Sequence, residues 1–171
     1  MTPVVRFVSK AAIVVILLAG GATFAQSASF LSIAGIPGES HTVPGAIDLR
    51  SYLFNAHNPP GGRATFGEFT FSTSVSKASP WLMLSVANGA HLNSAVLSVR
   101  RTSGQQVEFV RYTLSNVQIT SYQPQPGDTL PGEQFTITYG RIQYEYWTIN
   151  PDGTQGERTL TCWDVSNQRS C

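Results

Sequence analysis

The sequence predicts a mostly β protein, a compact antiparallel β-barrel with one flanking α-helix. Three observations support this fold class. Gly- and Pro-rich turn sequences recur between segments in which apolar and polar residues alternate, a pattern typical of antiparallel strands. Two long alternating segments change phase near their middle, as strands do when they bend around a barrel. One apolar segment, residues 81–87, breaks the alternation and is flanked by helix-boundary signals.

The first residues have the three parts of a secretory signal peptide. Arg6 and Lys10 supply positive charge, residues 11–19 are apolar, and small residues precede a junction between Ala25 and Gln26. We expect cleavage at that junction, with an uncleaved N-terminal anchor as the alternative. The apolar segment is shorter than the roughly 20 residues that span a bilayer, and no later segment is long and apolar enough to do so.

The predicted organisation is a signal peptide over residues 1–25 and one domain over residues 26–171, in a periplasmic or secreted protein. Of the 11 basic residues, Arg6 and Lys10 belong to the signal, so nine remain against ten acidic residues. A domain with this balance lacks the basic face of a nucleic-acid-binding protein. Charged residues make up 12% of the chain, about half the usual fraction.

Turns divide the predicted domain into strands. The clearest turn sequences are Pro37-Gly38, Pro59-Pro60-Gly61-Gly62, Ser103-Gly104, Pro126-Gly127-Asp128 and Pro151-Asp152-Gly153. Between them, apolar residues of one parity include Phe69, Phe71 and Val75, and Ala95, Leu97 and Val99. These segments are expected to be strands with one face turned to the core.

The two long segments shift their alternation by one residue, at Gly140 and around Ser115-Asn116. Around Gly140, the apolar positions are Phe135, Ile137 and Tyr139 before the shift and Ile142, Tyr144 and Tyr146 after it. Around Ser115-Asn116, they are Val110, Tyr112 and Leu114 before the shift and Val117 and Ile119 after it. A shift of one residue exchanges the two faces of a strand. We therefore expect a bulge or a sharp bend at both places, which favours a closed barrel or a tight sandwich over a flat sheet.

The predicted helix begins after a turn and ends at a glycine. Ser79 is a candidate N-cap, Pro80 suits the first turn, and Asn88-Gly89 suits the C-terminus. The residues between are apolar almost all round, so more than one side is expected to be covered. The helix either plugs or flanks its own barrel, or turns part of its surface to another subunit, and we favour a subunit contact for its exposed edge.

Two cysteines, Cys162 and Cys171, lie near the C-terminus. In an exported protein, such a pair predicts a disulfide. A metal or redox pair is the alternative, but the spacing is not that of a C-x-x-C motif and no His or carboxylate pair lies nearby in the sequence. The disulfide is expected to fasten the last residues to the final strand.

No common catalytic motif is present, including the nucleophile elbow, the phosphate-binding loop and the H-E-x-x-H zinc motif. His41, His57 and His91 are scattered, and His91 is placed to interact with the helix C-terminus. Four glutamates on predicted strands could form an acid–base pair, although solvent-facing surface charges are the more common role: Glu68, Glu108, Glu133 and Glu145. The sequence therefore predicts no enzyme, no metal and no cofactor.

The region from Lys77 onward resembles the Hcp family, the tube proteins of bacterial type VI secretion systems. The resemblance is carried by Lys77-Ala78-Ser79-Pro80 with its apolar helix, by Asn88-Gly89-Ala90-His91, by residues 95–101 and by residues 109–119. Upstream, residues 30–40, 47–56 and 64–74 resemble the first strand with its Gly-Glu-Ser turn, the second strand, and the strand before the helix. The Lys-Ala-Ser-Pro sequence with its helix is the most specific of these features.

The resemblance implies a β-barrel with one helix on its side, assembled into hexameric rings that can stack into a hollow tube. It also implies effector proteins and a spike protein as partners. The residues expected to form the family-signature helix and a subunit contact are Lys77, Ser79, Pro80, Trp81, Leu82, Met83 and Leu84.

The signal peptide and the cysteine pair distinguish this chain from family members whose tube polymerises in the cytoplasm. We therefore expect an exported, non-enzymatic ring or tube subunit. The alternatives are a monomeric exported barrel that acts as a binding module and, less favoured, an exported enzyme or toxin.

Overall fold

The structure, a computed structural model, describes residues 26–102, 104–127 and 130–171. The signal peptide predicted over residues 1–25 lies outside the described residues. Within the described ranges there are ten β-strands and one α-helix: β1 Ser27–Ile33, β2 Ile47–Leu53, β3 Ala56–His57, β4 Thr65–Phe66, β5 Phe69–Ser74, α1 Ser79–Asn88, β6 His91–Arg101, β7 Glu108–Gln125, β8 Gly132–Ile149, β9 Gln155–Asp164 and β10 Arg169–Ser170. None of the described helical residues forms a segment with the length and apolarity of a membrane crossing.

Six strands close into an antiparallel barrel in the order β8-β5-β2-β1-β6-β7, and β7 pairs again with β8. The antiparallel barrel predicted from the sequence is therefore confirmed. Closure removes the free edges that an open sheet would leave for uncontrolled pairing.

The strands β7 and β8 are each 18 residues long and pair with one another from Val110↔Tyr146 to Gln125↔Gly132. Along its first half, β8 also pairs with β5, as in Phe69↔Ile137. Along its second half, the same edge of β8 pairs with β9 instead. The second half of β8 thus continues out of the barrel with β9 and β10, and we call residues 141–171 the arm.

The predicted phase shifts fall directly opposite one another. Asn116 and Gly140 lie between the pairs Ser115↔Arg141 and Val117↔Tyr139, and Asn116 has a φ of 53°, in the left-handed region. A Cβ on Gly140 would lie 3.1 Å from the side-chain nitrogen Nδ2 of Asn116 and 3.0 Å from the hydroxyl oxygen of Ser166. Glycine therefore allows the two strands to turn together, so that Ile137 before the shift and Ile142 after it reach one core.

The core consists of large apolar side chains from the barrel strands and from one face of the helix. Three phenylalanines, Phe69, Phe71 and Phe135, are completely buried, with ring centroids 5.6 Å apart for the first two and 5.4 Å apart for the last two. Leu82 from α1 is also completely buried in this cluster. The helix therefore covers part of the barrel, as predicted.

The boundaries of α1 agree with the prediction, but its N-cap does not. Ala78 is the N-cap and has no side-chain cap, while Ser79 is the first helical residue and its hydroxyl accepts a hydrogen bond from the Ser76 N–H at 2.9 Å. At the other end, Gly89 has a left-handed φ of 63°, and the next N–H, from Ala90, donates to the Ser85 carbonyl at 3.1 Å. This is the expected glycine C-terminus.

Candidate functional site

The structure does not bring the sequence-predicted polar residues into a catalytic arrangement. His41, His57 and His91 are all exposed. The carbonyls of Ser85 and Val86 accept backbone N–H groups, and the helix-end role of His91 stays a prediction. In the described part of the chain, no three His, Cys, Asp or Glu side chains come together as a metal site.

The solvent-facing positions predicted for the glutamates are correct only for Glu68. Glu108, Glu133 and Glu145 are buried. Glu108 is bound by Arg111 on β7 and Glu145 by Arg158 in the arm, and Glu133 lies towards the opposite end of β8 from Glu145. Glu133 is thus far along the strand from the other two buried carboxylates and cannot form an acid–base pair with either.

Glu133 lies inside the barrel beside the start of the helix. One of its carboxylate oxygens accepts a hydrogen bond from the Tyr122 hydroxyl at 2.8 Å. Burial and this hydrogen bond raise the pKa of Tyr122 to about 12. The other oxygen, Oε1, has no hydrogen-bond partner among the described residues. Tyr122 is therefore the main polar support of a completely buried carboxylate.

One end of the molecule, which we call the helix end, carries exposed apolar side chains. On α1, the exposed fractions are 51% for Trp81, 56% for Met83 and 46% for Leu84. Two further apolar residues, Val75 and Leu130, are exposed next to the helix, where the Val75 N–H bonds to the Pro131 carbonyl at 3.1 Å. A soluble protein rarely leaves such a group uncovered unless it contacts a partner.

The signature helix divides into exposed and buried residues. Lys77, Pro80, Trp81, Met83 and Leu84 are exposed, whereas Ser79 and Leu82 are buried. The prediction that Leu82 contacts another subunit is therefore wrong, because its side chain fills the core of its own barrel. Ser79 is likewise unavailable to a partner.

The opposite end, which we call the pocket end, contains an apolar pocket of about 330 Å³ between the barrel and the arm. Its main lining residues are Phe54, Phe66, Tyr112, Ile142, Tyr144 and Trp163. Tyr112 and Tyr144 stack with ring centroids 4.5 Å apart, and Phe66 stacks on Trp163 at 5.9 Å. Burial, together with Tyr144, raises the pKa of Tyr112 above its ordinary value.

Two ion pairs, one on β7 and one between β8 and β9, share an indole ring. Arg111 binds Glu108 at 2.6 Å and Arg158 binds Glu145 at 2.7 Å. The two guanidinium groups lie 5.5 and 5.9 Å from the centroid of the Trp147 ring, within cation–π range. The Trp147 ring of β8 thus joins Arg111 of β7 to Arg158 of β9, and both buried carboxylates are paired with an arginine.

The tip of the arm contains the predicted disulfide, between Cys162 and Cys171, whose Cα atoms are 5.4 Å apart. The short strand β10 returns antiparallel along the end of β9, with Ser170 opposite Trp163. The disulfide thus fastens the final residues beside the strand that supplies Trp163 to the pocket.

The turn between β9 and β10 is closed by Asp164. Its carboxylate accepts hydrogen bonds from the Asn167 backbone N–H at 2.8 Å and the Asn167 side chain at 3.0 Å, and lies 3.5 Å from Arg141. The Asn167 hydrogen bonds, with a smaller contribution from Arg141, lower the pKa of Asp164.

Sequence reasoning missed the pocket and the Glu133–Tyr122 pair. The burial of Glu133 had a sequence signal, because it shares its parity with Phe135, Ile137 and Tyr139. The pocket had none, since its walls come from separate elements that only the closed fold brings together.

Comparison with known proteins connects this fold to secretion-system proteins. Residues 30–146 match the family described as "Type VI secretion system effector, Hcp". Protein hcp1 of Pseudomonas aeruginosa is 28% identical over 91 residues, which cover 52% of this chain and 56% of that protein. The matched stretch thus spans about half the length of that relative.

Solved structures share the fold over most of the described residues. Hcp1 from Salmonella typhimurium is 23% identical, with a TM-score of 0.74, and the match covers 85% of this chain and 99% of that one. A structure described as a type six secretion system protein is 17% identical, with a TM-score of 0.79, covering 85% of this chain and 100% of that one.

Proposed function

Because the chain belongs to the Hcp family of type VI secretion system proteins, we propose that it acts by assembly, as the subunit of a hexameric ring. The observation that carries this proposal is the exposed apolar surface of α1, where Trp81, Met83 and Leu84 have no contact that would cover them within the described residues. Removing exposed apolar side chains from water is favourable and drives the association of subunits.

A ring requires each subunit to use two different surfaces, one toward each neighbour. Stacking of such rings would make a tube, whose lumen would accommodate small effector proteins and whose end would meet a spike protein. The protein would then work as a structural element without catalytic turnover.

The oligomeric state tests this proposal. Residues 26–171, purified with the disulfide formed, should give a mass six times that of one protomer by native mass spectrometry, and rings by negative-stain electron microscopy. A helix-end variant, Met83→Glu, should shift the population to monomers, because it places a charge in an apolar contact. The matched control is Ser51→Glu, at an exposed position of β2. A protein that stays monomeric at high concentration would refute the ring.

We propose further that the protein is exported and assembles outside the cytoplasm. The signal-like sequence before Gln26 and the disulfide between Cys162 and Cys171 support this location, because such bonds persist in oxidising compartments. The intact mass of protein from the periplasm or medium should correspond to a chain that starts at Gln26 and has lost two hydrogens at the cysteines. Recovery of full-length, reduced protein from the cytoplasm would contradict export.

The aromatic pocket favours a second candidate function, a monomeric binding module. In that case, the purified protein would be a monomer that retains a small apolar ligand in native mass spectra. Tube formation and ligand binding by a monomer thus predict different masses in the same experiment.

A further inference from the structure

The exposed large apolar side chains of the described residues lie at the two ends of the molecule. The helix end has Val75, Trp81, Met83, Leu84 and Leu130, and the pocket end has Leu53, Tyr144, Tyr146 and Leu160. The register of β7 and β8 separates these ends, with Tyr112↔Tyr144 at the pocket and Tyr122↔Phe135 near the helix. Ten residues of strand correspond to about 33 Å of extended chain.

The two ends differ in shape. At the helix end, Trp81 and Leu84 are three residues apart, so they share one face of α1; the Trp81 side chain is half exposed. At the pocket end, the apolar surface is recessed into the cavity of about 330 Å³. A half-exposed indole at one end and an aromatic cavity at the other are complementary in chemistry.

We propose that Trp81 of one copy inserts into the aromatic pocket of the next copy, which makes this the principal contact of the ring. The inference rests on the proposed ring function and names the surface that receives the helix. Contact between two different surfaces is heterologous, and its repetition closes into a ring when the rotation permits.

Size and chemistry support this occupant. Pockets for drug-sized ligands measure about 300–1,000 Å³, so this one is at the lower limit and suits a single bicyclic side chain. Its described lining residues are aromatic, aliphatic, Thr161 and Cys162, without a charged group. Tryptophan anchors of this kind, enclosed by aromatic walls, dominate the binding energy of many interfaces.

Two substitutions test the contact from its two sides. Trp81→Ala removes the inserted side chain and leaves the pocket open. Thr161→Trp fills the pocket from β9 and leaves Trp81 in place. Each should raise the Kd between protomers by about 30-fold or more, so that native mass spectra at the concentration where the wild type forms rings show monomers.

Matched controls make the same kinds of change at an exposed position outside both apolar surfaces. Ser51→Ala truncates a side chain of β2, and Ser51→Trp adds an indole there. Both should retain rings. Far-UV circular dichroism and thermal unfolding check that all four variants are folded.

Mixing the two contact variants gives the decisive result. Trp81→Ala protein has an open pocket and Thr161→Trp protein has a free Trp81, so a one-to-one mixture should form heterodimers and nothing larger. Rings that persist in either variant would overturn the insertion and leave the ring itself intact. A monomeric wild type would overturn both the insertion and the ring.

Discussion

The two halves of β8 have the same partner on one side and different partners on the other. Residues 132–139 pair with β5 inside the closed barrel, and Phe135 and Ile137 there are completely buried. Residues 141–149 pair with β9, and Tyr144 and Tyr146 there are exposed. One strand therefore supplies both the core that stabilises the fold and the arm that presents an apolar surface.

The largest expected difference between the halves is in core packing. Phe135→Ala should lower the free energy of unfolding by about 3–5 kcal/mol, because it removes a buried ring and leaves a cavity. Tyr146→Ala, at an exposed position of the same strand, should change it by about 1 kcal/mol or less. Urea denaturation measures both. Equal losses would show that the arm is as integral to the core as the barrel half.

The disulfide tests whether the arm has its own stability. Replacing Cys162 and Cys171 by serine should cost about 2.5–3 kcal/mol by the chain-entropy estimate for so short a loop. Hydrogen exchange should accelerate at amides of β9 and stay slow in β5, because the strands of the barrel close without the disulfide. Equal acceleration in both strands would mean that the arm and the barrel open as one unit.

The buried carboxylate of the barrel half gives a smaller expected effect. Tyr122→Phe removes the hydroxyl that donates to Glu133 and should destabilise the fold by about 1–2 kcal/mol, since a buried acceptor loses its partner. Tyr146→Phe is the control, because its hydroxyl is on an exposed side chain. Thermal unfolding measures both variants, and an unchanged Tm for Tyr122→Phe would remove Tyr122 as the support of Glu133.

Local sequence signals predicted the barrel half better than the arm. Alternation, the shift at Gly140 opposite Asn116, and the helix from Ser79 to Asn88 are properties of neighbouring residues, and the structure confirms them. The predicted N-cap, Ser79, is one residue later than the observed N-cap, Ala78. A serine before a proline matches the N-cap sequence pattern even when its hydroxyl does not accept a hydrogen bond from the first turn of the helix.

Nonlocal contacts explain what the sequence did not predict in the arm. Glu145 alternates out of phase with Tyr144 and Tyr146, which predicts exposure, yet it is buried and bound by Arg158, which lies against the Trp147 ring. The pocket likewise requires Phe54, Tyr112 and Trp163 to meet from three separate segments. Such coverage depends on the register of β8 with β9, which no single segment specifies.

The smallest expected effect concerns pH and the tip of the arm. Hydrogen bonds from Asn167, and secondarily Arg141, lower the pKa of Asp164, so the folded state favours the carboxylate. The resulting stabilisation is complete above the ordinary aspartate pKa of about 3.9 and disappears as the pH falls through the lowered value in the folded state.

Amides of β10 in the wild type should therefore lose exchange protection, relative to β5, as the pH is lowered below about 4. Asp164→Asn should weaken that protection at neutral pH and abolish its acid dependence, whereas Asp48→Asn, on an exposed position of β2, should behave as the wild type does. If the β10 amides of Asp164→Asn still lost exchange protection in acid, the pH response would belong to another carboxylate. The stability of β10 would then not depend on the turn that Asp164 closes.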